Sequence, residues 1–190
     1  NEYKSINAGY SGNILIPHID REMIIRTIVE NRKVTFHFFG VVHHAKMNDN
    51  QRQWIAALKS QPNVVLHGVL PTEELILNFQ KIDIFLLCYK SDSKSYHSDN
   101  SHKILEYLST GKVIVSSWIR HYSGLDLFPM CNENDNRGYA NLFNQILSDL
   151  TYYNSKEFAQ QRKNYASDNT YQIQIQKIAT ILSSDENNKY

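Results

Sequence analysis

Ser101-His102-Lys103-Ile104-Leu105-Glu106-Tyr107-Leu108-Ser109-Thr110-Gly111-Lys112-Val113-Ile114-Val115-Ser116-Ser117 reads as a short helix, a glycine stop and a buried strand. Ile104, Leu105 and Leu108 fall at i, i+1, i+4 spacing and share one helical face. His102, Lys103 and Glu106 lie three and four residues apart on another face, where their side chains can converge on one ligand. Gly111 stands where a helix ends in a left-handed residue. Val113-Ile114-Val115 is a β-branched run suited to a strand buried on both sides. A carboxylate and an ammonium at the start of a helix, beside a parallel sheet, suit a nucleotide, with phosphate at the helix N-terminus and ribose at the carboxylate. The same spacing also suits an amphipathic helix whose polar face meets only water.

The chain outside this stretch alternates strands and helices. Strands are expected at Ile6 to Gly12, Val34 to Gly40, Val64 to His67, Asp83 to Tyr89 and Phe128 to Cys131. Helices are expected at Arg21 to Asn31, Asp49 to Ser60, Pro71 to Gln80 and Arg137 to Leu150. Pro71 suits a first helical turn, where the missing N–H costs nothing. This alternation predicts βαβ units and a doubly wound parallel sheet of the α/β class. Right-handed crossovers place every loop after a strand on the carboxyl edge, where ligands of such sheets bind. The candidate ligand loops are therefore Gly9 to Asn13, Val41 to His44, Gly68 to Pro71, Tyr89 to Ser101 and Ser116 to Gly124. The tail from Asn154 onward is polar and helical in pattern, with Ile173, Ile178, Ile181 and Leu182 as weak anchors.

Three segments in order carry a resemblance. Lys103 to Val115 is similar to the K-x-x-E-Y-L-A-x-G-K-P-V-V segment of GT-B glycosyltransferases, with Val113 in place of the usual proline. Asn63-Val64-Val65-Leu66-His67-Gly68-Val69-Leu70-Pro71-Thr72-Glu73-Glu74-Leu75 resembles the family's N-V-x-F-x-G-x-x-P-x-x-E-L, and Asp83 to Tyr89 resembles its D-V-x-L-x-P-Y strand. The resemblance runs from about Gly9 to Leu147 and implies a Rossmann-like second domain of a polysaccharide-assembly enzyme. It implies a donor-binding domain over residues 1–150 and a helical tail over 151–190. The first, acceptor-binding domain is expected outside this chain, which does not start with Met. The implied activity is transfer of a sugar from a nucleoside diphosphate sugar, UDP being favoured by frequency, to a saccharide hydroxyl. The implied catalysis uses no cofactor or metal.

The donor-binding candidates follow. The resemblance implies that Glu106 binds the ribose, since a carboxylate can accept from both hydroxyls. Lys103 would offset pyrophosphate charge. The backbone N–H groups of Asn100, Ser101 and His102 can hold a phosphate, or the same residues can simply cap the helix. Gly12, in Gly9-Tyr10-Ser11-Gly12-Asn13, permits close approach of backbone to donor, or marks a plain turn. His43 follows the second strand and can face donor or acceptor. Leu70 lies in a loop whose backbone can meet a base edge. Many relatives carry a second glutamate eight residues before the first; here that position is Ser98, with Asp99 beside it. Relatives also place an Arg and a Lys soon after the first strand. Asn13 to Ile19 has neither, and Arg21 is the first cation. No catalytic residue is assigned.

Composition narrows the classes. The net charge is +1 and there is no long basic run, so nucleic-acid binding has no electrostatic footprint. No apolar stretch approaches the ~20 residues that span a bilayer. Cys88 and Cys131 lack metal-ligand or redox spacing, which fits a reduced, cytoplasmic setting, with peripheral membrane contact left to the absent domain. Adjacent His43 and His44 point apart and complete no ligand set. No P-loop and no G-x-S-x-G occurs. A nucleotide-sugar epimerase of similar fold and a non-enzymatic nucleotide-binding or signalling module remain as alternatives.

Overall fold

The computed structural model describes residues 5–43, 45–91 and 102–176. Five strands, β1 (Ile6–Ser11), β2 (Val34–Phe39), β3 (Val64–Gly68), β4 (Ile84–Leu87) and β5 (Val113–Ser116), form one parallel sheet in the order β3-β2-β1-β4-β5. The helices are α1 (Arg21–Glu30), α2 (Asp49–Lys59), α3 (Thr72–Phe79), α4 (His102–Ser109), α5 (Tyr139–Ser148), α6 (Leu150–Tyr153) and α7 (Lys156–Asp168). Residues 171–176 are helical as well. The strand order reverses between β1 and β4, which makes their carboxyl ends the switch point of the sheet.

The element ends follow local chemistry. The Asp20 carboxylate caps α1 by accepting from Met23 N at 3.3 Å, and Asn48 and Gln51 form a reciprocal capping box on α2. The β4 and β5 strands, Ile-Phe-Leu-Leu and Val-Ile-Val-Ser, are buried throughout, as parallel strands covered on both faces are. On one sheet face, Phe79 of α3 meets Phe85 at 5.1 Å between ring centroids, and Tyr107 of α4 stacks on Phe85 at 4.1 Å. On the other, Phe143 of α5 meets Phe36 at 5.6 Å, and Trp54 of α2 donates to Ile14 O at 2.9 Å.

Four details differ from the sequence expectations. The core face of α4 is Ile104, Tyr107 and Leu108, whereas Leu105 is only half-buried. The strand expected at Phe128 to Cys131 reduces to a single parallel bridge, Ser116 to Met130. Pro129 accepts from Ser116 N but has no N–H to extend the ladder. The helix expected from Arg137 to Leu150 is broken at Asp149 into α5 and α6. The tail is anchored by residues the pattern does not single out. Arg162 of α7 is 2% exposed and donates to Leu127 O, Gly111 O and Tyr153 O at 2.7–2.9 Å. Asn154 bridges the feet of two strands, its amide donating to Asp83 O and accepting from Val113 N. Ile178, Ile181 and Leu182 lie outside the described residues.

Candidate functional site

The carboxyl ends of β1 and β2 meet through glycines. Gly12 N donates to Phe39 O at 2.8 Å, and a side chain on Gly40 would overlap the Gly12 carbonyl oxygen. Gly12 itself has φ +125°, a conformation open to glycine. A Cβ on it would stand 2.8 Å from Lys103 Nζ. Its lack of a side chain therefore lets the lysine ammonium lie directly on the backbone that leaves β1.

Lys103 reaches this point from the first turn of α4. Its Nζ donates to the Tyr10 hydroxyl at 2.9 Å and the Tyr89 hydroxyl at 3.2 Å, and stands 4.2 Å from the Tyr10 ring centroid. Burial pulls its pKa down to about 8, against a smaller upward pull from Glu106. Burial pushes the Tyr10 phenol well above its usual range, so its hydroxyl stays neutral. The ammonium thus meets uncharged oxygens, and a cation so placed can receive an anion.

One turn further along α4, Glu106 is exposed, and no described residue bonds its carboxylate. With His102 it lines a cavity of about 750 Å³, walled opposite by Lys163, Ala166 and Tyr171. The Tyr171 hydroxyl lies 3.1 Å from His102 Nδ1. A cavity of this size falls within the range of small-molecule sites. Among the described residues no group of three or more His, Cys, Asp or Glu side chains could hold a metal ion. Cys88 and Cys131 are free, buried thiols whose pKa values burial raises.

Four of the eight candidates fall into two pairs joined by α4: Gly12 touches Lys103, and His102 and Glu106 line the cavity, which neither Gly12 nor Lys103 lines. His43 lines a separate groove of about 340 Å³ with Met47, Arg52 and Lys59. Leu70 follows β3, an edge strand, two strands from β1. Asn100, Ser101, Ser98 and Asp99 lie outside the described residues. Arg21 is committed elsewhere: its guanidinium donates to Asn50 O and Leu15 O and braces the loop after β1. Three tyrosines escaped the sequence reading. Tyr10 and Tyr89 cradle Lys103, and the Tyr107 hydroxyl accepts from Ser11 N at 2.6 Å. The only available signal was their position, since a tyrosine at a strand end carries a polar tip on an apolar body.

No protein-family model matches the chain, and no curated protein matches it by sequence. Solved structures do match it. HepE of Anabaena, in complex with UDP and glucose, superposes with TM-score 0.66 at 18% identity, over 95% of this chain and 49% of that one. The chain shares the fold of one half of such structures, the Rossmann-like α/β domain of the GT-B fold. Sucrose-phosphate synthase of Thermosynechococcus elongatus gives TM-score 0.73 at 11% identity, over 95% and 46%. TarM gives 0.64 at 14%, over 93% and 35%. The chain therefore spans half or less of the length of these proteins. The expected fold class is borne out. No helix among the described residues is long and apolar enough to cross a membrane.

Proposed function

We propose that this chain is the donor-binding half of a glycosyltransferase, which moves a sugar from a nucleoside diphosphate sugar to a saccharide hydroxyl. One observation carries the reading. At the switch point of a Rossmann-like sheet, a half-buried ammonium with uncharged partners lies on the Gly12 backbone, one helical turn from an exposed carboxylate. Lys103 stands where a diphosphate meets the N-terminal end of α4, and Glu106 where a ribose diol can be held.

The chemistry follows from the leaving group. The bond from the anomeric carbon to the β-phosphate oxygen breaks, and negative charge builds on the diphosphate. A positive group already in place lowers that barrier, because it need not reorganise during the step. Lys103 and the N–H groups opening α4 supply that positive potential, so the scheme calls on no metal or cofactor. HepE, which shares the fold, is known in complex with UDP and with UDP-glucose, and this favours UDP as the nucleotide. The acceptor and any general base belong to a first domain outside this chain, and the enzyme works in the cytoplasm.

A thermal-shift panel tests the reading. A ligand at ~100 times its dissociation constant adds about 2.7 kcal/mol of stability, or about 5–10 °C for a chain of this size. UDP should raise the melting temperature above that seen with UMP or uridine, and GDP, ADP and CMP rank the base. The chain alone should transfer no sugar from a labelled donor. If no nucleotide moves the melt at millimolar concentration, the reading fails.

A further inference from the structure

Lys103 is the residue that the sequence singles out; the two side chains that hold it come from elsewhere. Tyr10 arrives from β1 and Tyr89 from just past β4, and both hydroxyls accept from the ammonium. An ammonium has three N–H donors, and these two bonds leave one for a ligand. The charged and titratable groups around it are the Tyr10 and Tyr89 phenols, Glu106 on its own helix, and Tyr107, which faces Tyr10. Among the described residues no carboxylate forms an ion pair with it.

Building on the donor reading above, we propose that Tyr10 and Tyr89 are positioning residues for donor binding. Their hydroxyls hold the Lys103 ammonium charged, and fixed against Gly12, where the donor diphosphate arrives.

The physical case has two parts. A lysine side chain is flexible, and a phosphate that must first order it binds more weakly than one that meets it in place. Two hydroxyls and a ring face pre-order it without neutralising it, as a carboxylate would. Burial also makes its charge marginal near pH 8. Each hydroxyl accepts from the charged form, so removing one favours the neutral amine. Tyr10 and Tyr107 are held neutral well above this range by burial.

The test is UDP affinity against pH, by calorimetry between pH 7 and 9, above the phosphate pKa of roughly 6. Wild-type affinity should fall as pH rises through about 8. Tyr10→Phe keeps the ring and removes only the hydroxyl. It and Tyr89→Phe should move the fall down by about one pH unit, the scale of a hydrogen bond to a charged group. Lys103→Arg should bind UDP with no fall at all, because a guanidinium stays protonated. Superimposed profiles for wild type and both Phe variants overturn the inference, as does an equal loss at every pH, which a merely structural role predicts. If UDP binds and Glu106→Ala weakens it while the profiles do not move, the inference alone falls. If wild type binds no UDP at any pH, the donor reading falls with it.

Discussion

The Tyr107 hydroxyl on α4 clasps the last residue of β1, accepting from Ser11 N at 2.6 Å and donating to Ser11 O at 3.3 Å. This pair joins helix and strand at the point where Lys103 meets Gly12, so the site's geometry depends on it. Tyr107→Phe keeps the stack on Phe85 and removes only the hydroxyl. It leaves the buried Ser11 N–H without its partner and should cost about 1–3 kcal/mol. Urea unfolding measures it, and an unchanged midpoint would show the clasp to be idle.

Gly12→Ala should abolish tight nucleotide binding while the fold survives. The new methyl stands at 2.8 Å from Lys103 Nζ, on a backbone at φ +125° that side chains rarely adopt. The strain costs on the order of 1–3 kcal/mol of stability. Displacement of the ammonium should weaken UDP at least about tenfold, or ~1.4 kcal/mol. Calorimetry on the folded variant decides; wild-type affinity would remove Lys103 from the phosphate site.

Glu106→Ala should weaken UDP by about 1.5–3 kcal/mol, roughly 10- to 150-fold. Folding should hold, because the side chain is exposed and alanine suits a helix. Equal affinities of the two proteins would exclude the ribose contact.

Acid should destabilise the sheet edge through a histidine pair. The Asn7 amide nitrogen donates to Lys81 O, which leaves its oxygen facing His37 Nε2 at 3.0 Å. His37 Nε2 therefore donates, and its Nδ1 accepts from His67 Nε2 at 2.9 Å, with both rings neutral. Burial lowers both pKa values; for His37 the neighbouring His67 and Lys81 lower it further, and for His67 Glu74 pulls the other way. The unfolded chain then takes up protons more readily than the folded one. This stabilisation is complete above the unfolded histidine value of about 6.5 and is lost as pH falls below it. The melting temperature should drop between pH 7 and 5, and the drop should shrink in the His37→Phe, His67→Phe double variant. An identical slope in the two proteins counts against the pair.

Arg162→Met should loosen α7 from the domain. The buried guanidinium serves three carbonyls, on Leu127, Gly111 and Tyr153, and burial lowers its pKa to about 10. Methionine leaves those acceptors unmatched, at a cost on the order of 3 kcal/mol. Hydrogen exchange should rise across residues 156–168. If protection there matches wild type, other contacts hold the helix.

Much of the molecule was legible in the chain. The Val-Ile-Val run marked a strand sealed on both faces, and the helix expected from Arg21 to Asn31 is α1, with Ile24 and Ile28, four residues apart, on its buried stripe. Gly111, at φ +77°, closes α4 as its position implied. Lys103 and Glu106 stood out because three-residue spacing puts them on one side of a helix. One anchor of the tail was not legible, for a physical reason. Hydrophobic pattern looks for apolar anchors, and α7 is pinned by a buried arginine that bonds backbone carbonyls, which no pattern of apolar residues reports.

The chain by itself determined the alternation of strands and helices, and with it a parallel sheet whose carboxyl edge carries the loops. These are local properties, since the burial period of a segment is written in that segment. Tertiary structure alone decided which loops share a site. Tyr10 and Lys103 are separated by 93 residues, and they touch because the order β3-β2-β1-β4-β5 sets β1 beside β4 and drops the first turn of α4 over the gap. His43 and Leu70 follow β2 and β3, on the side of β1 away from β4, and His43 lines a groove of its own. Periodicity cannot report strand order, because order depends on how the buried faces of distant segments pack together.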